Sequence, residues 1–513
     1  MTFSLALLLS GLSGVVALSS ELIWYRTWSF AAMGTASSFG ALLGFYLLGL
    51  AAGSYASGRL CRDRDGEALR QVVRGIAVCV LTASWLGFLV TPAIALAARL
   101  GLHSAALPFI ALTTTLMGAV FPLVSHAGVP PDERAGARVS YLQVANIVGS
   151  AAGSLLTGFV LMDVWSLRTI ATVVALAGLV LSVGVFLLSR PSPAQLARGG
   201  ALAGAAALAV VALGPSLYRD AYEKMQLGEQ YDPAHPFTHV VETRSGVITV
   251  AADGSIFGGG AYDGVFRVSL RDDANKIHRA FALGAMQAAP RDVLMVGLSS
   301  GSWARVIAAF PTVEHLTIVE INPGYLQLMA LYPGGPELLA NPKVQIVIDD
   351  GRRWLQRHPS LTFDTIVQNT TWHWRAHVTD LLSREYLELV RAHLRDGGLF
   401  YFNTTRSAHA QKTAITVYPY AWRVDSFVAV SDAPIRFDKE RWRALLTPFR
   451  LDGQALFDAA SASDRALLEQ VLARADDVDG PDATQGLETR DHMAARLGSA
   501  EIVTDDNMMV EWR

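Results

Sequence analysis

Long apolar runs fall almost entirely before Leu217; beyond it charged residues become frequent and the alanine, leucine and valine runs stop. A bilayer core needs about 20 apolar residues per helix. The pattern predicts spans near Phe3–Leu22, Phe39–Ser57, Val72–Ala97, Ala105–Ser125, Leu142–Met162, Thr169–Leu188 and Gly199–Leu217. The last is mostly alanine and glycine, so six or seven helices are expected over residues 1–217. Gly149, Gly153 and Ser154 with Gly158 repeat at about four-residue spacing, which lets helices approach closely in lipid. The start of the chain lacks the basic segment and small-residue exit of a signal peptide and reads as the first span.

From Arg291 the pattern changes to alternating strands and helices. Strands are predicted at Asp292–Val296, His315–Val319, Val344–Ile348, Phe363–Val367 and Leu399–Asn403. Helical spacing follows at Trp303–Ala309, Tyr325–Leu331, Arg352–Arg357 and Ser383–Leu394, with Gly397-Gly398 as a turn. Such repetition means a parallel sheet covered on both faces. Leu451–Ala475 reads as helical and Asp476–Gln485 as an acidic linker. Thr504–Asn507 either reaches the site or caps the fold.

Composition narrows the classes. The 513 residues suggest at least two domains, and the mean hydropathy of +0.32 fits a membrane half joined to a soluble one. A net charge of −3 without a dense basic tract argues against nucleic-acid binding. Cys61 and Cys79 form no CxxC pair, so neither a disulfide framework nor a metal is expected.

Ligands of parallel sheets sit beyond the carboxyl ends of the strands, where the marked residues lie. Gly297, Ser299, Ser300 and Gly301 form a small-residue loop that permits close backbone approach. Glu320, with Asn322 after it, stands about 20 residues on and suits a ribose diol. Asp349, Asp350 and Gly351 follow the third strand, where Asp350 suits an adenine amino group. Asn369 and Thr370 follow the fourth. The combination points to nucleoside binding, and the missing G-x-G-x-x-G pattern disfavours a NAD-type site.

From Tyr262 to Trp422 these residues resemble the spermidine synthase (aminopropyltransferase) family, and more closely its bacterial membrane-fused members. Asp263-Gly264-Val265-Phe266 with Asp272-Asp273 is similar to the family's Asp-Gly entry hairpin and acidic follow-up. Val319-Glu320-Ile321-Asn322-Pro323 is similar to Val-Glu-Ile-Asp-Pro, whose Glu holds the ribose. Asp350-Gly351-Arg352-Arg353 matches the Asp-Gly-Arg motif, and Tyr418-Pro419 with Trp422 a late Tyr-Pro segment. The resemblance implies a Rossmann-like S-adenosylmethionine (SAM) dependent transferase domain preceded by a small β region, roughly His239–Val268.

Three departures touch the reacting end. Ser300 replaces an Asp that the family is expected to use for the aminopropyl amine of decarboxylated SAM and that would repel the carboxylate of SAM itself. Asn369 replaces the Asp that helps to deprotonate the attacking amine, and an amide is no general base. Of the family's Tyr-His/Gln-Glu element only His278, with Arg279 next to it, remains. The expected activity is transfer or cleavage of a group of the sulfonium of SAM or a close relative. The catalytic candidates are Asn369, His373, Asp263 and Asp273. Trp372 and Trp374 are candidates for stacking on a cation, or else for packing against the membrane domain. Two alternatives stay open: a true aminopropyltransferase using Asp263, Asp272 or Asp273, and a transporter or sensor with a non-catalytic nucleoside domain. The expected acceptor is a small-molecule amine or a lipid, and a homodimer is compatible.

Arginines cluster after the second, fourth and sixth spans, which puts those loops and the N-terminus in the cytoplasm. A seventh crossing would then place the C-terminal half outside, whereas SAM is cytoplasmic. The cytoplasmic side of a bacterial inner membrane is the expectation. Glu21, near the end of the first span, is either a functional or paired acid, a substrate contact, or part of an interfacial belt with Trp24, Tyr25 and Arg26. The expected domains are residues 1–217 (membrane), 218–290 (linker and small β region), 291–450 (SAM-binding) and 451–513 (helical and acidic extension).

Overall fold

The computed structural model describes residues 1–61, 63, 65–273, 275–369, 372–480 and 485–511. The chain divides into two compact units, residues 1–236 with 242–246 and residues 237–241 with 247–513.

The first unit holds helices α1 (Phe3–Ala31), α2 (Ser37–Ser57), α3 (Gly66–Arg99), α4 (Ala106–Gly128) and α5 (Ala135–Leu156). A π-helical turn at Thr157–Leu161 continues α5 into short α6 (Met162–Val164); α7 (Leu167–Leu188), α8 (Pro193–Leu217) and short α9 (Ala221–Leu227) follow. Seven helical segments among the described residues are long and apolar enough to cross a membrane. The weakest expected span starts six residues early, at Pro193. There a capping box, with Gln195 N–H donating to the Ser192 hydroxyl and Ser192 N–H to the Gln195 side chain, offsets the alanine- and glycine-rich interior. The small-residue stripe works as a close contact only in part. A Cβ on Gly149 would lie 1.9 Å from the Gly11 carbonyl, and one on Gly153 2.4 Å from that of Val15; one on Gly158 would meet nothing nearer than 3.7 Å.

Helix α1 runs nine residues past the expected Leu22, so Glu21 lies ten residues, about 15 Å, inside its end. Trp24 is buried and donates its ring N–H to the Gly87 carbonyl at 3.0 Å. The Arg26 guanidinium binds the carbonyls of Thr243 and Gly246. Both side chains are spent on internal bonds rather than on an exposed belt.

The second unit opens with a small sheet in the order β1 (His239–Thr243), β2 (Gly246–Val250), β3 (Ser255–Gly258), β4 (Ala261–Val265), antiparallel where β2, β3 and β4 pair. Helix α10 (His278–Met286) leads into the main sheet. Its parallel strands are β5 (Asp292–Val296), β6 (His315–Glu320), β7 (Val344–Ile348), β8 (Phe363–Gln368) and β9 (Leu394–Asn403). Strands β10 (Tyr420–Val424) and β11 (Phe427–Ser431) are followed by a small hairpin, β12 (Arg450–Leu451) with β13 (Gln454–Ala455), and by β14 (Leu487–Thr489). The spatial order is β14-β10-β11-β9-β8-β5-β6-β7, with β11, β10 and β14 antiparallel. Alternate residues feed opposite faces: Val293 and Met295 enter one core, Leu294 and Val296 the other. Helices α11 (Ser302–Ala308), α12 (Gly324–Met329), α13 (Gly335–Leu339) and α14 (Gly351–Arg357) connect the parallel strands.

Two expected elements differ. Gly397-Gly398 lies within β9, where the register against β8 shifts, so the pair forms a bulge rather than a terminal turn. Leu451–Ala475 is not one helix. Asp452 and Gly453 have φ of 49° and 79° and turn a hairpin, and the helix starts only at Ala462, capped by Ser461. The C-terminal segment also supplies the sheet's edge strand, whose Glu488 forms a buried ion pair with Arg423 at 2.5 Å.

Candidate active site

The crevice at the ends of β5, β6 and β7 is shaped by backbone. Gly297, Ser299 and Gly301 all have positive φ (89°, 50° and 72°), which folds the loop tightly before α11. Glu320 is buried and accepts from Leu298 N–H at 2.7 Å and from Asn322 N–H at 2.8 Å, tying the first loop to the second strand end. Burial pushes its carboxyl up to about 7 against these hydrogen bonds, and the nearby Asp263 charge adds to the rise. Asn322 accepts from Gly324 N–H at 3.0 Å at the start of α12. Asp350 caps α14 by accepting from Arg353 N–H at 2.8 Å. Asp349 is engaged by Arg353 and Arg357, and the Arg353 bond holds its carboxyl below the usual range. A Cβ on Gly351 would lie 2.6 Å from Val296, so glycine lets α14 sit against β5.

Beside the crevice lies a cavity of about 260 Å³ lined by Tyr262, Asp263, Asn275, Lys276, Arg279, Asn369, Trp372, Asn403, Thr405, Arg406 and Ser426. Asp263 accepts from the Tyr325 hydroxyl at 2.5 Å, and its backbone carbonyl accepts from the Ser299 hydroxyl at 2.6 Å. Burial raises its carboxyl, opposed by the Tyr325 bond and the Arg375 charge. Arg279 is clamped between Ser426 (2.7 Å) and the carbonyls of Asn275 and Lys276 (both 2.9 Å). Lys276 lies 3.6 Å from buried Asp425, which His278 also contacts at 3.1 Å. Thr405 and Arg406 have φ of 45° and 68°, a conformation that costs non-glycine residues about 1–3 kcal/mol each. Arg406 is exposed and forms no ion pair among the described residues. Three of the four charged lining residues are cations.

A family model for the spermine/spermidine synthase domain matches residues 280–430. The C-terminal half carries a spermine/spermidine synthase domain. The polyamine aminopropyltransferase of Desulforudis audaxviator is 32% identical over 142 residues, covering 26% of this chain and 50% of that protein. That of Mycobacterium tuberculosis is 26% identical over 331 residues, covering 62% of this chain and 60% of the relative. The second match is longer than the C-terminal half and so extends into the apolar one. The chain spans 50% and 60% of the length of these two relatives. The spermidine synthase structure from Thermotoga maritima aligns with a TM-score of 0.33 and 16% identity, over 42% of this chain and 81% of that one.

The residues singled out by sequence separate into groups. Gly297, Ser299, Ser300, Gly301, Glu320, Asn322, Asp349, Asp350 and Gly351 gather at the strand ends. Ser300 shares a 2.9 Å hydrogen bond with Ser302. Asn369, Asp263 and Trp372 line the cavity. Trp372 donates to the Tyr262 carbonyl at 3.1 Å, and Trp374 stacks on Trp372 without lining the cavity. His373 sits behind Thr405, at 2.7 Å from its hydroxyl, and burial lowers the ring's pKa. Asp273 turns to His278 and Arg474 instead, and exposed Asp272 pairs with Arg267. Glu21 belongs to the other unit. Thr370 lies outside the described residues. Sequence reading missed Asn275, Lys276, Asn403, Thr405, Arg406 and Ser426. Asn403 ends β9 and Thr405 and Arg406 follow it, the same position that flagged Glu320 and Asn369 on their strands, and that signal would have found these three.

Proposed function

We propose that this chain is a membrane-bound transferase that uses SAM with its carboxylate intact and moves a group from the sulfonium to an acceptor. The observation that carries this reading is the pocket wall of Lys276, Arg279 and Arg406 next to the nucleoside crevice. Cations complement a carboxylate and repel a polyamine. Ser300 leaves no carboxylate in the first loop to oppose that of SAM. In the reaction the acceptor's lone pair forms a bond to a carbon on sulfur, the C–S bond breaks, and its electrons leave with a neutral thioether. The proton released by the acceptor needs a base. Asp263, beside Asn369 and oriented by Tyr325, is the candidate at the cavity, and Asn369 serves in positioning. The domain's own residues supply the nucleoside contacts, and no step draws on a metal.

Calorimetry with SAM, decarboxylated SAM and methylthioadenosine tests this. SAM binding at least tenfold tighter than decarboxylated SAM is the expected outcome; the reverse order overturns the reading. It would favour a polyamine aminopropyltransferase, the activity named for the relatives, with Asp263 replacing the missing acids. Absence of binding by all three would leave only a non-catalytic module.

We also propose that the C-terminal half faces the cytoplasm, where SAM is made. Seven crossings with the arginine-rich loops inside would put it outside, so this placement requires α8 to lie at the membrane without crossing. Reporters fused after Ser192 and after Arg513 should then be active on the same side; activity on opposite sides refutes the placement.

A further inference from the structure

The first unit contains a cavity of about 460 Å³ between its long helices, walled by residues of α1, α2, α3, α4, α5 and α7. Ser13, Ala17 and Glu21 enter it at four-residue spacing, one stripe of α1. Most of the wall is apolar, with Leu43, Leu47 and Phe121 among its side chains. Three of its four serines have already used their hydrogens on backbone carbonyls: Ser13 on Ser10 at 2.9 Å, Ser54 on Gly118 at 3.0 Å, Ser84 on Val80 at 2.7 Å. Asn146 likewise donates to the Ser10 carbonyl at 3.0 Å. Glu21 is the one charged residue of the lining and has no hydrogen-bond or ion-pair partner among the described residues. The nearest arginine along the helix, Arg26, is committed to the carbonyls of Thr243 and Gly246.

An acidic side chain within a membrane helix is costly and is retained where it meets a partner or a pathway. The volume falls within the roughly 300–1,000 Å³ typical of pockets for small organic molecules. We infer that this cavity binds an organic cation with an apolar body, its charge held by Glu21. Apolar walls take the body, and among the described residues no cationic side chain lines the cavity to compete for the carboxylate. This site is separate from the transferase reading and stands or falls without it.

The test uses the full-length protein in lipid nanodiscs and two ions of the same shape and opposite charge, tetraphenylphosphonium and tetraphenylborate. Saturable binding of tetraphenylphosphonium is expected, with no competition from tetraphenylborate. Glu21→Gln should weaken it at least tenfold and Glu21→Asp by much less. In the unmodified protein, tetraphenylphosphonium should slow labelling of Glu21 by dicyclohexylcarbodiimide, read by mass spectrometry; this arm does not depend on a variant folding. Equal binding of both ions, undiminished binding by Glu21→Gln, or unprotected labelling would each overturn the inference.

Discussion

The crevice around Glu320 is made by three neighbouring strand ends and held by backbone N–H groups. The pocket around Asn369 takes its walls from separate stretches: Tyr262–Asp263, Asn275–Arg279, the β9 end at Asn403–Arg406, and Ser426. The first depends on main-chain geometry, with Gly351 against Val296 and the Leu298 and Asn322 amides on Glu320. The second depends on which side chains project, and can be rewritten without disturbing the sheet. The family match begins at Ala280: it takes in Asn369, Trp372, Asn403, Thr405, Arg406 and Ser426 and leaves Tyr262, Asp263, Asn275, Lys276 and Arg279 outside. The likeness therefore covers the whole crevice but only one side of the pocket.

The sharpest way to break that comparison is Glu320→Ala. Hydrogen bonds to a charged acceptor contribute about 1.5–3 kcal/mol each, so losing two ribose contacts should weaken methylthioadenosine binding by about 100-fold or more. SAM should weaken equally, because both share the nucleoside. Unchanged affinity in calorimetry would remove Glu320 from the site.

Next in size is charge reversal at the other end. Arg406→Glu should weaken SAM by about tenfold or more and leave methylthioadenosine, which has no carboxylate, within about twofold. Equal loss of both ligands would mean that the two regions are not independent.

Acidity gives a third handle. In the proposed site a ribose diol would donate to the ionised Glu320, whose carboxyl burial raises to about 7. Methylthioadenosine affinity should therefore rise with pH, about tenfold per unit below that value, and level off above it. Glu320→Gln should flatten the profile. The unliganded protein has the opposite trend. Folded Glu320 keeps a proton that the unfolded chain releases near 4.5, so this group's contribution to stability falls as pH rises from about 4.5 to 7. Chemical denaturation across that range reads the trend directly.

The same contrast governs what sequence could reveal. The five parallel strands were legible because buried β-strands form short apolar runs between small-residue turns. The places of Glu320 and Asp350 at strand ends were legible because the apolar run stops where each strand does. The hairpin at Asp452-Gly453 was missed because hydrophobic spacing on both sides suggested a continuous helix, although Asp-Gly is a turn signal. Lys276 and Arg406 are 130 residues apart, and only the tertiary fold brings them to one cavity. Glu21 gained its interior position once α1 extended to Ala31, beyond where the apolar run suggested an end.

The smallest expected effect comes from Asn369→Asp, which restores an acid where the family has one. The Asn369 side-chain oxygen accepts from Asn403 at 3.3 Å, and an aspartate accepts there equally well, so the fold should be kept. The new carboxylate would share the cavity with Asp263. Like charges disfavour each other's ionisation, and the two would oppose the carboxylate of SAM. Lys276, Arg279 and Arg406 still face the cavity and offset part of that repulsion, so SAM should weaken only about fivefold, with methylthioadenosine unchanged. Decarboxylated SAM should gain relative to SAM by the same factor. A larger swing toward decarboxylated SAM would assign selectivity to position 369 rather than to the cationic wall. No change would place the SAM carboxylate beyond reach of both.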